Sequence, residues 1–168
     1  QDPLSALNPV HRIGAQIVEM IQAHQDMSKT DAHARAVELL DIVGLPQPDV
    51  RAHQYPHEFS GGMRQRAVIA MAMAGRPRLI IADEPTTALD ASVQFQILSL
   101  LLELRAKSNM ALVLISHDLA VVSGVCARVY VMYAGQIVEE GPVAEVQANP
   151  KVIEVYLGRG ARHHQKGA

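Results

Sequence analysis

Apolar residues along the chain change their period near position 75. Before it they recur at helical spacing: Ile13, Ile17, Met20 and Ile21 stand three and four residues apart on one face of a helix. Ser28, with Asp31 three positions later, predicts the start of a second helix whose apolar positions include Ala36, Val37, Leu39, Leu40 and Val43. Gly44 and Pro46 end that helix, and residues 48–58 read as loop. Beyond Gly75, short apolar runs alternate with longer amphipathic ones. Residues 79–82 predict a buried parallel strand that ends at two carboxylates, residues 111–115 a second buried strand and residues 129–133 a third. Residues 91–107 predict a helix with Asp90 at its N-terminus. Ala134-Gly135 is a compact turn into residues 136–139, which predicts a hairpin. Pro142 starts a helix to about Asn149, a short helix follows over 152–157, and the tail from Gly158 reads as solvated. Strands alternating with helices imply an α/β layer structure with a mainly parallel sheet beside an all-helical first region.

Composition adds bounds. A length of 168 residues suits one domain able to bury roughly 70% of its unfolded surface. Hydrophobic residues at 49% and charged residues at 19% describe a globular chain. With no Trp, the core must be built from Leu, Ile, Val, Ala and the seven Met. A formal charge of −2 gives no bulk electrostatic reason to expect nucleic acid. The single cysteine, Cys126, cannot form an internal disulfide, which fits a reducing compartment. No apolar run approaches the ~18 residues that span a bilayer, so membrane association is expected through a partner. Gln1-Asp2-Pro3 opens without an initiator Met or leader, and the chain reads as a piece of something longer.

Three stretches carry candidate chemistry. Asp83-Glu84 ends the apolar strand 79–82, and ligands of open α/β sheets lie beyond the carboxyl ends of strands. Asp83 there can hold a magnesium ion, and Glu84 can orient or deprotonate a water. Taken alone, the dipeptide is more simply read as a solvated strand end, since a hydrophobic strand followed by Asp-Glu is common. Ser60-Gly61-Gly62 opens the apolar helix 67–74, leaving backbone N–H groups and the positive helix end for an anionic phosphate. A plain N-cap with a flexible loop accounts for that tripeptide too. His117, after the strand 111–115, can donate to a phosphate oxygen or serve as a surface histidine.

Their order is more informative than any one of them. Ser60-Gly61-Gly62-Met63-Arg64-Gln65-Arg66, then residues 79–84, then Ala88-Leu89-Asp90, then Ser116-His117, resembles the ABC ATPase family over nearly the whole chain. The resemblance implies an α/β, P-loop NTPase-like (ABC ATPase) fold: a partial parallel sheet with an α-helical signature subdomain. Residues 1–75 would form the Q-loop and helical signature subdomain, 76–158 the remainder of the RecA-like core, and 159–168 a flexible tail. It implies ATP and Mg²⁺ as cofactors, with Gln1 as the Q-loop glutamine touching magnesium and the attacking water. Ser60, Gly61 and Gly62 match the signature loop, Asp83 and Glu84 the Walker B metal-binding and catalytic carboxylates, Asp90 the D-loop and His117 the switch histidine. The implied partners are a second ATP-binding subunit, identical or not, and transmembrane permease subunits, with no nucleic acid. The implied location is peripheral, at the cytoplasmic face of the inner or plasma membrane.

Residues 1–9 and 55–63 are similar to the ATP-binding subunits of peptide and nickel importers, whereas residues 149–158 resemble the ending of branched-chain amino-acid importers. No Gly-x-x-x-x-Gly-Lys-Ser/Thr occurs anywhere, so nothing in this chain grips β- and γ-phosphates with a lysine, and the adenine-stacking aromatic of the family is also missing. The expected function is that of an importer's ATP-hydrolysing motor subunit, inactive as this piece alone. A soluble ABC ATPase would need a basic face, which the sequence does not show. A non-catalytic partner-binding fragment is the third reading.

Overall fold

The computed structural model describes residues 3–87 and 89–157, so Gln1, Ala88 and the expected tail lie outside the described residues. The chain divides into two compact units, the first running to Ile115 and the second beginning at Ser116.

The first unit opens with a short helix, α1 (Pro3–Ala6), followed by α2 (Ile13–His24) and α3 (Lys29–Ile42). The predicted apolar stripe of α2 is its buried face: Ile13, Ile17 and Ile21 are fully enclosed, each stabilising the fold by about 1.5–3 kcal/mol. Gln16, also buried, accepts from the Asn8 amide at 2.8 Å and donates to the carbonyls of Asn8 and His11, tying the entry loop to α2. Ser28 caps α3 as expected, accepting from the Asp31 amide at 3.1 Å. The chain leaves α3 through Gly44 at φ 73°, a left-handed position that suits glycine.

Residues 48–58 are not loop. They hold α4 (Pro48–Ala52) and a 3₁₀ turn (Pro56–Glu58). Each begins with a proline whose fixed φ suits a first helical position, and Glu58 reaches back to accept from the Tyr55 amide at 2.7 Å. Next come α5 (Gly61–Ala74), β1 (Leu79–Asp83), α6 (Ala91–Ser108) and β2 (Ala111–Ile115).

β1 and β2 pair in parallel, Leu79 opposite Ala111 and Asp83 opposite Ile115. Ile80, Ala82, Leu112 and Leu114 pack on one continuous core shared by α2, α3, α5 and α6. The expectation of buried strands needs correction here. The alternate residues Leu79, Ile81, Val113 and Ile115 are 45–62% exposed. Side chains alternate across a strand, and among the described residues only one face of this pair is covered.

The second unit contains α7 (Leu119–Val125), which periodicity does not announce, the strands β3 (Arg128–Tyr133) and β4 (Gln136–Pro142), and the helices α8 (Val143–Ala148) and α9 (Pro150–Leu157). β3 and β4 form the expected hairpin, antiparallel around Ala134 and Gly135, both at positive φ. Val131, Val146 and Val152 make a small core of their own, with Val129 and Val138 against it. Among the described residues no helix is long and apolar enough to cross a membrane.

Candidate functional site

Ser60 is the N-cap of α5 and accepts from the Met63 amide at 3.3 Å. A cap of this kind forms because the first amides of a helix have no partner within it. Gly61 and Gly62 follow as the first helical residues, at the positive end of a 14-residue helix. Glycine at position 62 has a packing cause as well: a Cβ there would lie 2.7 Å from Cγ1 of Val93. A Cβ at Gly61 would touch Leu89 at 3.4 Å. Gly61 and Gly62 therefore sit against the start of α6 and the loop that leads into it.

That loop begins at the carboxylates. Asp83 is the last residue of β1, half-buried, and Glu84 follows in the left-handed region at φ 45°. For a residue with a side chain this costs about 1–2 kcal/mol. The surroundings hold it there: the Glu84 amide donates to the Ile115 carbonyl at 2.9 Å, and the Thr87 amide donates to the Glu84 carbonyl at 3.2 Å. The Glu84 carboxylate accepts from the Thr87 hydroxyl at 2.9 Å. Thr86, buried in the same turn, accepts from Gln94 Nε2 of α6 at 3.1 Å. Asp90 closes the segment as the N-cap of α6, accepting from the Val93 amide at 3.0 Å. Ser60-Gly61-Gly62, the carboxylate turn and Asp90 thus share one wall, built on the N-terminal ends of α5 and α6 and the C-terminal end of β1.

His117 belongs to the second unit, exposed, just before α7. Around it the Asp118 amide donates to Ser116 Oγ at 3.0 Å, and Asp118 accepts from the Ala120 amide at 2.8 Å. Gln1 lies outside the described residues. No motif in the sequence marks Thr86, Thr87 or Gln94. A hydroxyl three residues after a candidate base was the only available signal for Thr87.

Among the described residues no three His, Cys, Asp or Glu side chains gather as a metal cage. Mg²⁺ fits the residues present, because it prefers one or two carboxylate oxygens and takes its other ligands from water and phosphate, and Asp83 supplies such an oxygen. The N-terminal amides of α5 fit a phosphate anion. The lysine loop that would grip a nucleotide's phosphates within one chain is not present in this sequence.

A short parallel strand pair ending in carboxylates, helices packed on one of its faces and a capped Gly-Gly helix start beside it define an α/β, P-loop NTPase-like fold. A solved dimeric ATP-binding cassette in a post-hydrolysis state, bound to ADP and Pi, superposes with a TM-score of 0.70 at 29% identity, over 82% of this chain and 59% of that one. An ABC transporter in an inward-facing conformation gives a TM-score of 0.76 at 25% identity, over 88% and 58%. The family described as ABC transporter matches residues 5–87, and that of the branched-chain amino acid ATP-binding cassette transporter matches residues 136–162. The chain belongs to the ATP-binding domain family of ABC transporters. It is 56% identical over 151 residues to the oligopeptide transport ATP-binding protein OppD of Bacillus subtilis, covering 90% of this chain and 42% of that protein. It is 54% identical over 151 residues to the dipeptide transport ATP-binding protein DppD of Escherichia coli, covering 90% and 46%. The chain therefore spans less than half the length of these curated relatives.

Proposed function

We propose that the chain is part of the ATP-hydrolysing subunit of an ABC importer for peptides or similar small solutes. The observation that supports this most is the shared wall: Gly62 against Val93, Glu84 locked by Ile115 and Thr87, and Asp90 capping α6. In this reading Glu84 takes a proton from the attacking water, and its fixed backbone keeps the carboxylate aimed without reorganisation. Asp83, with Gln1, holds Mg²⁺, which supplies charge neutralisation on the phosphates when bound. His117 contacts the γ-phosphate. Ser60, Gly61 and Gly62 present amides to a nucleotide held by a second ATP-binding subunit, and Asp90 lies at that same interface. Residues 1–75 form the helical arm that docks a transmembrane permease at the cytoplasmic face of the membrane, residues 76–158 belong to the catalytic core, and 159–168 are a tail. The peptide class rests on likeness to the oligopeptide and dipeptide relatives.

Because the lysine loop is not in this sequence, the 168-residue chain alone binds ATP weakly and does not turn it over. Isothermal titration of this chain with Mg-ATP tests that point. No resolvable heat is expected, and a micromolar Kd contradicts the reading. Joining an ABC segment that carries a Gly-x-x-x-x-Gly-Lys-Ser/Thr loop upstream of Gln1 is expected to restore hydrolysis.

A further inference from the structure

We infer that Arg66 is a positioning residue that fixes the signature end of α5, an inference that rests on the ATPase reading above. Arg66 Nη1 donates to the Val43 carbonyl at 2.5 Å, and Nη2 donates to Gln96 Oε1 at 3.2 Å. Val43 is the C-cap of α3. The last carbonyls of a helix lack helical partners and lie at the negative end of its dipole, so a guanidinium is favoured there. Gln96 lies in the first half of α6, the helix that Asp90 caps. One planar fork therefore ties α5 to the end of α3 and to α6, setting distance and angle together as a single ammonium cannot.

The neighbouring residue accommodates this fork. Gly44 sits at φ 73°, and a Cβ on it would lie 2.9 Å from Arg66 Nη1. On the other side of α5, Arg64 Nε donates to the Pro56 carbonyl at 2.8 Å. Gly61 and Gly62 precede these two arginines and have no side chains of their own to anchor them. The side chains of Leu89 and Val93 fill the space where Cβ atoms on these glycines would lie. The orientation of the helix start is then set from behind, by Arg66 toward α3 and α6 and by Arg64 toward Pro56.

Hydrogen–deuterium exchange on the whole 168-residue chain tests this without any nucleotide. In Arg66→Ala the amides of residues 63–68 exchange about tenfold faster, the scale of losing a charge-assisted hydrogen bond. The amides of residues 17–21 in α2 keep their wild-type rates. Arg66→Lys, which keeps the charge and reaches one acceptor, falls between the two. Gln96→Leu, at an exposed position, raises exchange over 63–68 by a smaller factor and carries the test with Arg66→Lys if Arg66→Ala does not fold. Unchanged exchange over 63–68, or an equal rise across α2, α3 and α5, overturns the inference, because the second pattern marks general loss of stability. Failure of the ATPase reading would appear instead as hydrolysis insensitive to Glu84→Gln, and would leave the exchange pattern standing.

Discussion

The Thr87 hydroxyl donates to Oε2 of Glu84 at 2.9 Å, while the amide of the same threonine donates to the Glu84 carbonyl at 3.2 Å. One residue thus fixes both the backbone and the carboxylate of the candidate base. In a form of the protein that hydrolyses ATP, Thr87→Val lowers kcat about tenfold, the scale of one lost hydrogen bond to a charged group, with KM little changed. Thr87→Ser keeps the hydroxyl and most of the rate. Steady-state ATPase assays on the pair check this, and an unaffected kcat in Thr87→Val removes Thr87 from the role.

Gly62 and Val93 meet where the signature helix crosses the start of α6. Gly62→Ala introduces a Cβ 2.7 Å from Val93 Cγ1, and overpacking of this kind costs about 1–3 kcal/mol. Val93→Ala in the same background recovers part of the loss. Urea unfolding of both single variants and the double variant measures the coupling, which is near zero if the two side chains do not touch.

Two helix caps have independent, additive effects. Ser28 accepts from the Asp31 amide at 3.1 Å and Asp90 from the Val93 amide at 3.0 Å. Ser28→Ala and Asp90→Ala each lower stability by about 1 kcal/mol, and together by the sum because they lie on separate helices. Chemical denaturation of the three variants checks both the size and the additivity.

The elements that were legible in the sequence are those whose stabilisation is local. Ile13, Ile17 and Ile21 recur at the helical period and are enclosed at that period. Ser28, Asp90 and Ala134-Gly135 act on neighbours within a few residues, and each does in the structure what its type suggests. α4 and the 3₁₀ turn were not legible because so few residues show no period; proline at the first helical position was the available sign. α7 was hidden by its composition: the apolar run Leu119-Ala120-Val121-Val122 has no polar face, and Asp118 alone marks its start. At the site, the carboxylates, Ser60-Gly61-Gly62 and Asp90 could be read as motifs. The left-handed backbone of Glu84 and the reach of Arg66 to Val43 could not, since both depend on residues more than twenty positions away.

The outer face of the β1–β2 pair is apolar and exposed. Leu79, Ile81, Val113 and Ile115 stand on one side of the two strands, each 45–62% exposed. A parallel pair with apolar residues on both sides is ordinarily covered on both, and an open apolar strand pair invites other chains. Self-association of the 168-residue chain through this face is the expected outcome, and Ile81→Lys with Val113→Lys is expected to shift it toward monomer. Sedimentation velocity at several concentrations measures this, and a wild-type chain that stays monomeric throughout contradicts it.

The central claim is that Glu84 is the general base of an ABC-type ATPase. Its most direct test is steady-state hydrolysis by this chain joined to an upstream ABC segment bearing the lysine loop, compared with the same protein carrying Glu84→Gln. The account predicts turnover in the first and a loss of roughly 10²–10⁴-fold in the second, the scale of removing a general base. Equal turnover in the two proteins would contradict it.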